Sequence, residues 1–249
     1  CRTGHANLCE RVQKKPVREG LLIGPGGLCD YVIVNTGYLF KIPDTLSYEE
    51  ASLTEPLACV VHSVTKANIQ LGEDVVVIGG GIMGQYHVML AKRRGARVIM
   101  SEVDESRRAL ARKLGADITF NPMEKDPVEY VKSLTEGRGA DVVFNTTAIP
   151  SVVPQAIAMT GKAGRMIQYS SMHPDAPAPV SPQILHGNEP ILTGSISPDV
   201  HDFFTANRLL SGGIIDCKPL IAKKFPFEQA QQAFEAAIVP GTFRVIITD

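Results

Sequence analysis

The sequence predicts a doubly wound α/β fold, in which helices cover both faces of a parallel β-sheet. Between residues 74 and 196, short runs rich in β-branched residues alternate with segments of helical periodicity, which is typical of such sheets. A glycine-rich turn follows the first of these runs, and an acidic residue ends the second. The residues on either side of this stretch lack the alternation, which indicates that they belong to a different structural unit.

Six strands are expected in the central stretch. They are Val75 to Ile78, Val98 to Ser101, Ile118 to Phe120, Val142 to Asn145, Met166 to Tyr169 and Ile191 to Ser195. Capping residues mark the helices between them: Gly95 and Gly115 lie where helices should end, and Asp126 precedes a proline and a glutamate at a predicted helix start. Six strands in this order form one complete nucleotide-binding domain.

The two flanks are predicted to form one second domain, into which the nucleotide domain is inserted and of which the N-terminal part is missing. Residues 1 to 53 contain an expected short strand, Tyr31 to Val34, and a capping box at Ser47 to Glu50. Three elements are expected in residues 217 to 249: strand Leu220 to Lys224, helix Phe227 to Ile238 and strand Arg244 to Thr248. Neither flank is a plausible domain by itself.

The composition excludes several classes of function. Of 249 residues, 44% are hydrophobic and 20% are charged, with a formal net charge of -1. No basic run, no apolar stretch long enough to span a bilayer and no segment resembling a signal peptide is present, so neither a nucleic-acid nor a membrane partner is predicted. Five cysteines in a chain of this length do not make a disulfide framework, which favours the cytoplasm. Because the first residue is Cys1, we expect a fragment of a longer protein.

Residues 75 to 84 carry the pattern of a dinucleotide-binding turn, in which an apolar strand runs directly into Gly79-x-Gly81-x-x-Gly84. In this motif the first glycine allows a tight turn, the second leaves room for the pyrophosphate, and the third lets the next helix pack closely. The helix predicted from Ile82 to about Arg94 would direct its N-terminal amides and the positive end of its dipole at the phosphates.

Glu102 is predicted to favour NAD over NADP. It ends the second strand, 21 positions after Gly81, where a carboxylate can accept hydrogen bonds from the adenosine ribose hydroxyls and would repel a 2′-phosphate. The alternative is that Glu102 only begins a polar turn in which Asp104 caps the next helix. Arg107 and Arg108, just past the strand, leave a 2′-phosphate site open.

Cys1, Cys9 and Glu55 are the candidate metal ligands. Seven residues separate the two cysteines, but a tetrahedral sulfur site needs four ligands, so two reduced surface thiols are the alternative. Glu55 lies just before a predicted helix, Ala58 to Val64, between apolar stretches where a carboxylate is costly to bury unless it is paired or metal-bound. Its alternative role is to stabilise the helix N-terminus, with Pro56 at the first helical position.

Several segments together resemble successive landmarks of the zinc-dependent medium-chain dehydrogenases, over essentially the whole chain. They are Gly26 to Val32, Leu39 to Asp44, Glu55 to Ala58 and the glycine turn. The chain is most similar to the sorbitol (polyol) and threonine dehydrogenase branch, which has a glutamate at the position of Glu55. The resemblance implies a mostly β, GroES-like catalytic domain, truncated here, that is split around a Rossmann domain. The implied bounds are 1–57 for its remnant, 58–197 for the Rossmann domain and 198–249 for the C-terminal return.

The resemblance also implies roles for individual residues. Cys1 and Cys9 resemble the third and fourth cysteines of a structural zinc site, and Glu55 resembles the residue that binds the catalytic zinc directly or through its water. The cofactor is expected to contact Gly79, Gly81, Ile82, Met83, Gly84, Glu102, Arg107, Tyr169, Ser170, Ser195 and Ile196. The cysteine and the His-Glu pair that complete the family's catalytic site would lie upstream of Cys1. Ser197 stands where sorbitol dehydrogenases often have a substrate-binding arginine.

The implied function is transfer of hydride from a secondary alcohol, most often a sugar alcohol, to NAD. Zinc would act as the Lewis acid that lowers the pKa of the substrate hydroxyl. A homodimer or homotetramer is implied as well. Two alternatives are left open: a zinc-free, quinone-reductase-like enzyme that uses NAD(P)H, and a non-catalytic nucleotide-binding module. With both zinc sites incomplete, the chain itself is expected to bind NAD and catalyse little.

Overall fold

A computed structural model describes residues 4–9, 28–29, 31–34 and 36–248. Its centre is a parallel β-sheet of six strands in the order β3-β2-β1-β4-β5-β6. The strands are β1 (Asp74–Ile78), β2 (Arg97–Ser101), β3 (Ile118–Phe120), β4 (Ala140–Asn145), β5 (Thr160–Gln168) and β6 (Ile191–Gly194). The strand order reverses between β1 and β4, and dinucleotides bind at the carboxyl ends of strands at such a switch point. The predicted doubly wound sheet is confirmed.

Helices connect and cover these strands. In the described ranges they are α1 (Tyr48–Ala51), α2 (Thr54–Ala67), α3 (Ile82–Arg93), α4 (Glu105–Leu114), α5 (Pro127–Leu134), α6 (Val152–Met159), α7 (Pro182–Asn188), α8 (Val200–Ser211) and α9 (Ala230–Ala237). The predicted caps hold: Asp126 accepts the first backbone N–H groups of α5, and Gly115 ends α4 with φ +118°. None of these helices is both long and apolar enough to cross a bilayer.

The hydrophobic core forms one layer on each face of the sheet. Successive residues of β1 point to opposite faces, so Val75 and Val77 join one layer while Val76 and Ile78 join the other. Helices α2, α3 and α8 cover the first layer, and α5 and α6 cover the second. Every residue of β1 is buried, as expected of a central parallel strand. This scaffold fixes the turns at the carboxyl edge of the sheet.

The C-terminal segment forms a second, two-stranded sheet. Strand β7 (Ile221–Pro226) pairs in parallel with β8 (Arg244–Thr248), and α9 connects them. Both predicted strands are therefore present, although the first begins and ends slightly later than expected. The helix predicted from Phe227 to Ile238 begins as a 3₁₀ turn, Phe227–Gln229, and becomes α-helical only in α9.

Two local predictions were wrong. Tyr31 to Val34 do not form a strand, and Tyr31 and Ile33 are almost fully exposed. A strand exists only through hydrogen bonds to a partner, and no described residue pairs with this segment. Helix α2 begins at Thr54 and not at Ala58, so Pro56 is its third residue. The N–H that proline lacks would have had no intrahelical partner there, which is why the helix tolerates it.

Candidate functional site

The turn between β1 and α3 contains glycines that its neighbours require. Gly79 has φ +97°, and a Cβ on it would lie 2.8 Å from Thr146 Oγ1. A Cβ on Gly84 would lie 1.8 Å from the carbonyl oxygen of Gly79, so α3 could not pack this close to the turn. By contrast, a Cβ on Gly81 would meet no atom within 4 Å. Gly81 therefore borders open space of the kind that a pyrophosphate needs.

The peptide group of Gly80 is held at both ends. Its N–H donates to Glu102 Oε2 at 2.5 Å, and its carbonyl oxygen accepts from Gln85 Nε2 at 2.9 Å. Gln85 Nε2 also donates to the carbonyl oxygen of Arg107 at 3.0 Å, which ties the turn to α4. A Cβ on Gly80 would lie 2.9 Å from Glu102 Oε2, which explains why a glycine also stands between Gly79 and Gly81. These contacts attach the turn to the end of β2 and to α4.

Glu102 is buried, and its two carboxylate oxygens accept different backbone N–H groups. Oε2 accepts from Gly80, and Oε1 accepts from Asp104 at 2.9 Å. Asp104 in turn caps α4, since its side chain accepts from the backbone N–H of Arg107 at 3.0 Å. The polar-turn alternative is thus realised in the structure. It does not exclude a ribose contact, because a carboxylate oxygen can accept a second hydrogen bond.

The two arginines beyond β2 have different surroundings. Arg108 is buried, and its Nη1 donates to the carbonyl oxygens of Glu102 at 2.6 Å and Val103 at 2.8 Å. It is therefore a structural residue. Arg107 lies half-buried beside the turn with its guanidinium carbon 5.9 Å from the centre of the Phe243 ring, and its Nε is buried without a hydrogen-bond partner among the described residues. Of the two, Arg107 is the one placed to reach a nucleotide.

The carboxyl ends of β4 and β5 bring several predicted residues together. Thr146 Oγ1 donates to the carbonyl oxygen of Ile78 at 2.8 Å, and Ser170 Oγ donates to the carbonyl oxygen of Thr146 at 2.9 Å. Tyr169 OH donates to Met83 Sδ at 3.3 Å. Burial raises the pKa of the Tyr169 phenol, so this hydroxyl stays protonated. Met83, Tyr169 and Ser170 therefore border one side of the glycine turn.

His87 lies behind Tyr169 and is fully buried, with its ring centre 4.8 Å from the tyrosine ring centre. Its Nδ1 lies 2.8 Å from the carbonyl oxygen of Met83, and its Nε2 lies 2.9 Å from Ser63 Oγ. Because a carbonyl only accepts, Nδ1 carries the proton and the serine hydroxyl donates to Nε2. Burial lowers the pKa of His87 to about 4, so the ring is neutral.

The segment after β6 contains Ser195, Ile196 and Ser197. Ser195 is buried and its N–H donates to the carbonyl oxygen of Gln168 at 3.1 Å, whereas Ile196 is exposed. Ser197 has φ +51°, an uncommon conformation for a residue with a Cβ, and it lines a mainly apolar cavity of about 520 Å³. Glu102 lies in the other half of the sheet. A dinucleotide with its adenosine ribose at Glu102 would therefore direct its nicotinamide toward this segment.

Helix α2 presents a stripe of polar side chains on one face: Glu55, Cys59, His62 and Lys66. Cys59 Sγ donates to Glu55 Oε1 at 3.4 Å. Burial, together with the negative charge of Glu55, raises the pKa of Cys59 to about 12, so it is a thiol at neutral pH. At the other end of the stripe, Lys66 Nζ donates to the carbonyl oxygen of Gly194 at 2.8 Å. Through Lys66, the stripe on α2 is therefore connected to the end of β6.

The described residues do not complete a metal site. No group of three or more His, Cys, Asp or Glu side chains converges within the described ranges. Glu55 and Cys59 supply two neighbouring donors, whereas a catalytic zinc takes three protein ligands. Cys9 lies half-buried after the 3₁₀ turn Ala6–Leu8, and Cys1, predicted to share a structural zinc with it, lies outside the described residues. Both zinc sites therefore stay predictions.

Three residues that shape the site were missed by the sequence analysis. Gln85 holds Gly80, and its position one turn after Gly81 was the available signal. Thr146 follows β4 directly, and polar residues at the carboxyl end of a strand next to the switch point indicate a ligand site. Cys59 lies four residues after Glu55, a spacing that places both side chains on one face of a helix.

The sheet order, the glycine turn at the start of α3 and the acidic end of β2 together define a dinucleotide-binding protein. Residues 83–212 match the family described as zinc-binding dehydrogenase. The chain belongs to the zinc-dependent medium-chain dehydrogenases, in their sorbitol (polyol) and threonine dehydrogenase branch, as the resemblance predicted.

Known proteins are similar to nearly the whole chain. D-arabitol-phosphate dehydrogenase of Enterococcus avium is 31% identical over 99% of this chain and 69% of its own length. Sorbitol dehydrogenase of Bacillus subtilis is 30% identical over 96% of this chain and 66% of its own. The crystal structure of 2R,3R-butanediol dehydrogenase from Bacillus subtilis has a TM-score of 0.77 and 29% identity, covering 84% of this chain and 60% of that one. The chain therefore spans 60–69% of the length of these proteins.

Proposed function

We propose that the protein is an NAD-dependent dehydrogenase that oxidises a secondary hydroxyl of a sugar alcohol. The observation that carries the proposal is the glycine turn, in which Gly81 borders open space while Glu102 stands at the end of the neighbouring strand. The names of the arabitol-phosphate and sorbitol dehydrogenases support the substrate class. Bound NAD supplies the acceptor for the hydride that leaves the substrate carbon.

The described residues supply the means to bind and orient this cofactor. The N-terminal amides of α3, at Ile82 and Met83, would hold the pyrophosphate over Gly81, and Glu102 would accept from the adenosine ribose. Arg107 lies half-exposed beside the turn, and its guanidinium would donate to a phosphate or ribose oxygen. These contacts would fix the adenosine half of NAD.

The nicotinamide half would lie along the carboxyl ends of β5 and β6. Tyr169, Ser170, Ser195 and Ile196 line that edge. Tyr169 is a protonated phenol and His87 behind it is a neutral imidazole, so neither ring adds a charge to this edge.

The use of zinc is inferred from the family to which the chain belongs. We propose Glu55 as a ligand of a catalytic zinc, directly or through water, and Cys1 and Cys9 as ligands of a structural one. The described residues alone do not complete either zinc site. For this reason the roles proposed in the preceding paragraphs concern cofactor binding and not metal binding.

The surroundings of Ser197 favour an uncharged polyol over a phosphate ester. Ser197 offers a hydroxyl where an arginine would offer a cation. Among the described residues that line the adjoining cavity there is no lysine or arginine, and Asp199 adds a negative charge there. A phosphate would therefore lack a cationic partner at this position and would face a carboxylate.

The wider organisation is also part of the proposal. The domain bounds 1–57, 58–197 and 198–249 follow from the family resemblance, as do a homodimer or homotetramer and a cytoplasmic location. Size-exclusion chromatography with light scattering tests the assembly, and a monomer at micromolar concentration would contradict it.

A substrate panel tests the proposed function. The full native protein is assayed for NAD reduction with tetritols, pentitols, hexitols, arabitol phosphate, threonine and primary alcohols. We expect the highest kcat/KM for an uncharged polyol, because the site offers hydroxyl partners and no cation for a phosphate. Faster turnover of primary alcohols or threonine than of every polyol would contradict the sugar-alcohol assignment.

A further inference from the structure

Asn7, His62 and Asp202 form a polar network that joins distant parts of the chain. His62 Nδ1 lies 2.7 Å from Asp202 Oδ2, and His62 Nε2 lies 3.4 Å from Asn7 Nδ2. Asn7 Nδ2 also donates to the carbonyl oxygens of Ile196 at 2.9 Å and Ser197 at 3.5 Å. The network thus connects α8, through α2, to the segment after β6.

Asp202 determines which atoms in this network donate. It is buried, and its Oδ2 also accepts the backbone N–H of Asp199 at 3.0 Å as part of the capping box of α8. Because a carboxylate oxygen accepts from a ring N–H, His62 Nδ1 donates to it, and Nε2 is the ring atom that faces Asn7 Nδ2. Asn7 Nδ2 has two protons, of which one points to Nε2 and the other to the Ile196 carbonyl oxygen. His62 therefore orients the Asn7 amide toward the segment.

The backbone of Ile196 and Ser197, which Asn7 contacts, has an unfavourable conformation and little burial. Ser197 has a left-handed backbone conformation, which is unfavourable for a residue with a Cβ, and the side chain of Ile196 is exposed. Few packing contacts therefore fix this backbone, and the Asn7 proton that points to the Ile196 carbonyl oxygen, and is shared at 3.5 Å with that of Ser197, supplies part of what is missing.

Packing of α2 against α8 does not account for the whole network. Apolar residues such as Val61, Ala206 and Leu210 already bury the surface between these helices. The bond from His62 to Asp202 adds to that packing, but the contacts made by Asn7 contribute nothing to it. They act only on the segment after β6, at the end of the sheet opposite Glu102.

We propose that His62 is a positioning residue for the nicotinamide end of the cofactor. Acting through Asn7, it holds the backbone of Ile196 and Ser197 in the conformation that receives the nicotinamide. The inference rests on the proposed NAD-dependent function. Its distinguishing consequence is selectivity: loss of the network weakens the binding of NAD, whereas ADP-ribose, which has no nicotinamide, binds as before.

Calorimetric titration of the 249-residue chain with NAD and with ADP-ribose tests the proposal. We expect His62→Leu to weaken NAD binding by about tenfold, the effect of losing one good hydrogen bond, and to leave ADP-ribose binding unchanged within about twofold. His62→Gln, which keeps an amide donor and an acceptor, is expected to recover part of the NAD affinity. His201→Leu, which removes an exposed histidine next to Asp202, is the matched control and is expected to bind both ligands normally.

Asn7→Leu is the second variant, because it leaves the bond between His62 and Asp202 intact and so does not disturb the packing of α2 on α8. It is expected to show the same selective loss of NAD affinity. An equal loss for both ligands, or no loss for NAD, in the Asn7 and His62 variants would overturn the positioning role while leaving the proposed function standing. If the unmodified chain bound neither ligand, the proposed function would fail and the positioning role with it.

Discussion

Glu102 has two tasks in this structure. It holds the glycine turn through Gly80 and the start of the next turn through Asp104, and by our proposal it also binds the adenosine ribose. A residue that serves both tasks links cofactor preference to the stability of the turn.

We expect the unmodified chain to bind NAD more tightly than NADP by about 1 to 3 kcal/mol, because a 2′-phosphate would leave the buried Glu102 carboxylate unmatched. Glu102→Ser is expected to narrow this difference and also to lower Tm, since two backbone N–H groups lose their acceptors. Calorimetry and thermal unfolding measure the two effects. Glu124→Ser, at an exposed position, is the control and is expected to change neither. Tighter binding of NADP to the unmodified chain would refute the assignment and point to Arg107.

The second prediction at this scale concerns His87 and pH. Its pKa is about 4 in the folded protein and about 6.5 when unfolded, so between these values the unfolded chain binds a proton that the folded chain does not. Above pH 6.5 the titration of His87 therefore does not lower the free energy of unfolding. As the pH drops from 6.5 toward 4, it lowers that free energy by up to about 3 kcal/mol.

Urea unfolding at pH 7 and at pH 5 measures this dependence. His87→Gln cannot titrate, so its loss of stability between the two pH values is expected to be smaller by about 2 kcal/mol. His201→Gln removes an exposed histidine and is expected to retain the full loss. Identical pH dependence in all three proteins would contradict a neutral, buried His87.

Individual residues could be predicted from the sequence where a local pattern defines their task. The spacing of Gly79, Gly81 and Gly84 predicts the glycine turn because all three lie within one strand-turn-helix unit. His62 could not be assigned in this way. Its partners Asn7 and Asp202 are distant in sequence, and no local sequence pattern records such contacts.

At the scale of elements, the turn between β1 and α3 contains glycines that are needed for two different reasons. Gly84 is required by packing, since its Cβ would overlap the carbonyl oxygen of Gly79, whereas Gly81 is surrounded by space. Gly81 also has φ -65°, which any residue can adopt. One glycine therefore serves the fold and the other serves the ligand.

We expect Gly81→Ala to leave Tm almost unchanged and to weaken NAD binding by at least tenfold, because the methyl group would occupy the pyrophosphate space. Gly84→Ala is expected to lower Tm as well as NAD affinity, since α3 must move away from the turn. Thermal unfolding and calorimetry of the pair test both expectations. Normal NAD affinity in Gly81→Ala would mean that the cofactor does not cross the turn at this point.

The strands and helices of the sheet were predictable because each is a local pattern bounded by caps. The expected strand Tyr31 to Val34 shows where such reasoning fails: β-branched and aromatic residues favour a strand, but only a hydrogen-bonded partner makes one. The start of α2 was missed by four residues because the prediction followed the apolar stretch from Ala58, whereas the helix begins at the polar Thr54.

At the scale of the whole molecule, the next prediction concerns the zinc content of the purified chain. The 249-residue chain is expected to retain well under one zinc per chain after dialysis, because no three ligand-type side chains converge in its described part. Elemental analysis of the purified protein measures this, with Cys59→Ser as the comparison. A stoichiometric zinc in the unmodified chain would show that Glu55 or Cys9 finds further ligands, in residues beyond those described or in a second subunit.

The polar stripe on α2 makes the length of this helix as important as its composition. Glu55, Cys59, His62 and Lys66 share one face only because about one helical turn separates each from the next. Cys59 contacts Glu55, His62 contacts Asn7, and Lys66 contacts the carbonyl oxygen of Gly194. Inserting or deleting one residue between them would rotate the rest of the stripe by about 100° and withdraw several of these groups together. Related sequences are therefore expected to vary in side chains along α2 but to keep its residue count, with insertions confined to the turns at its two ends.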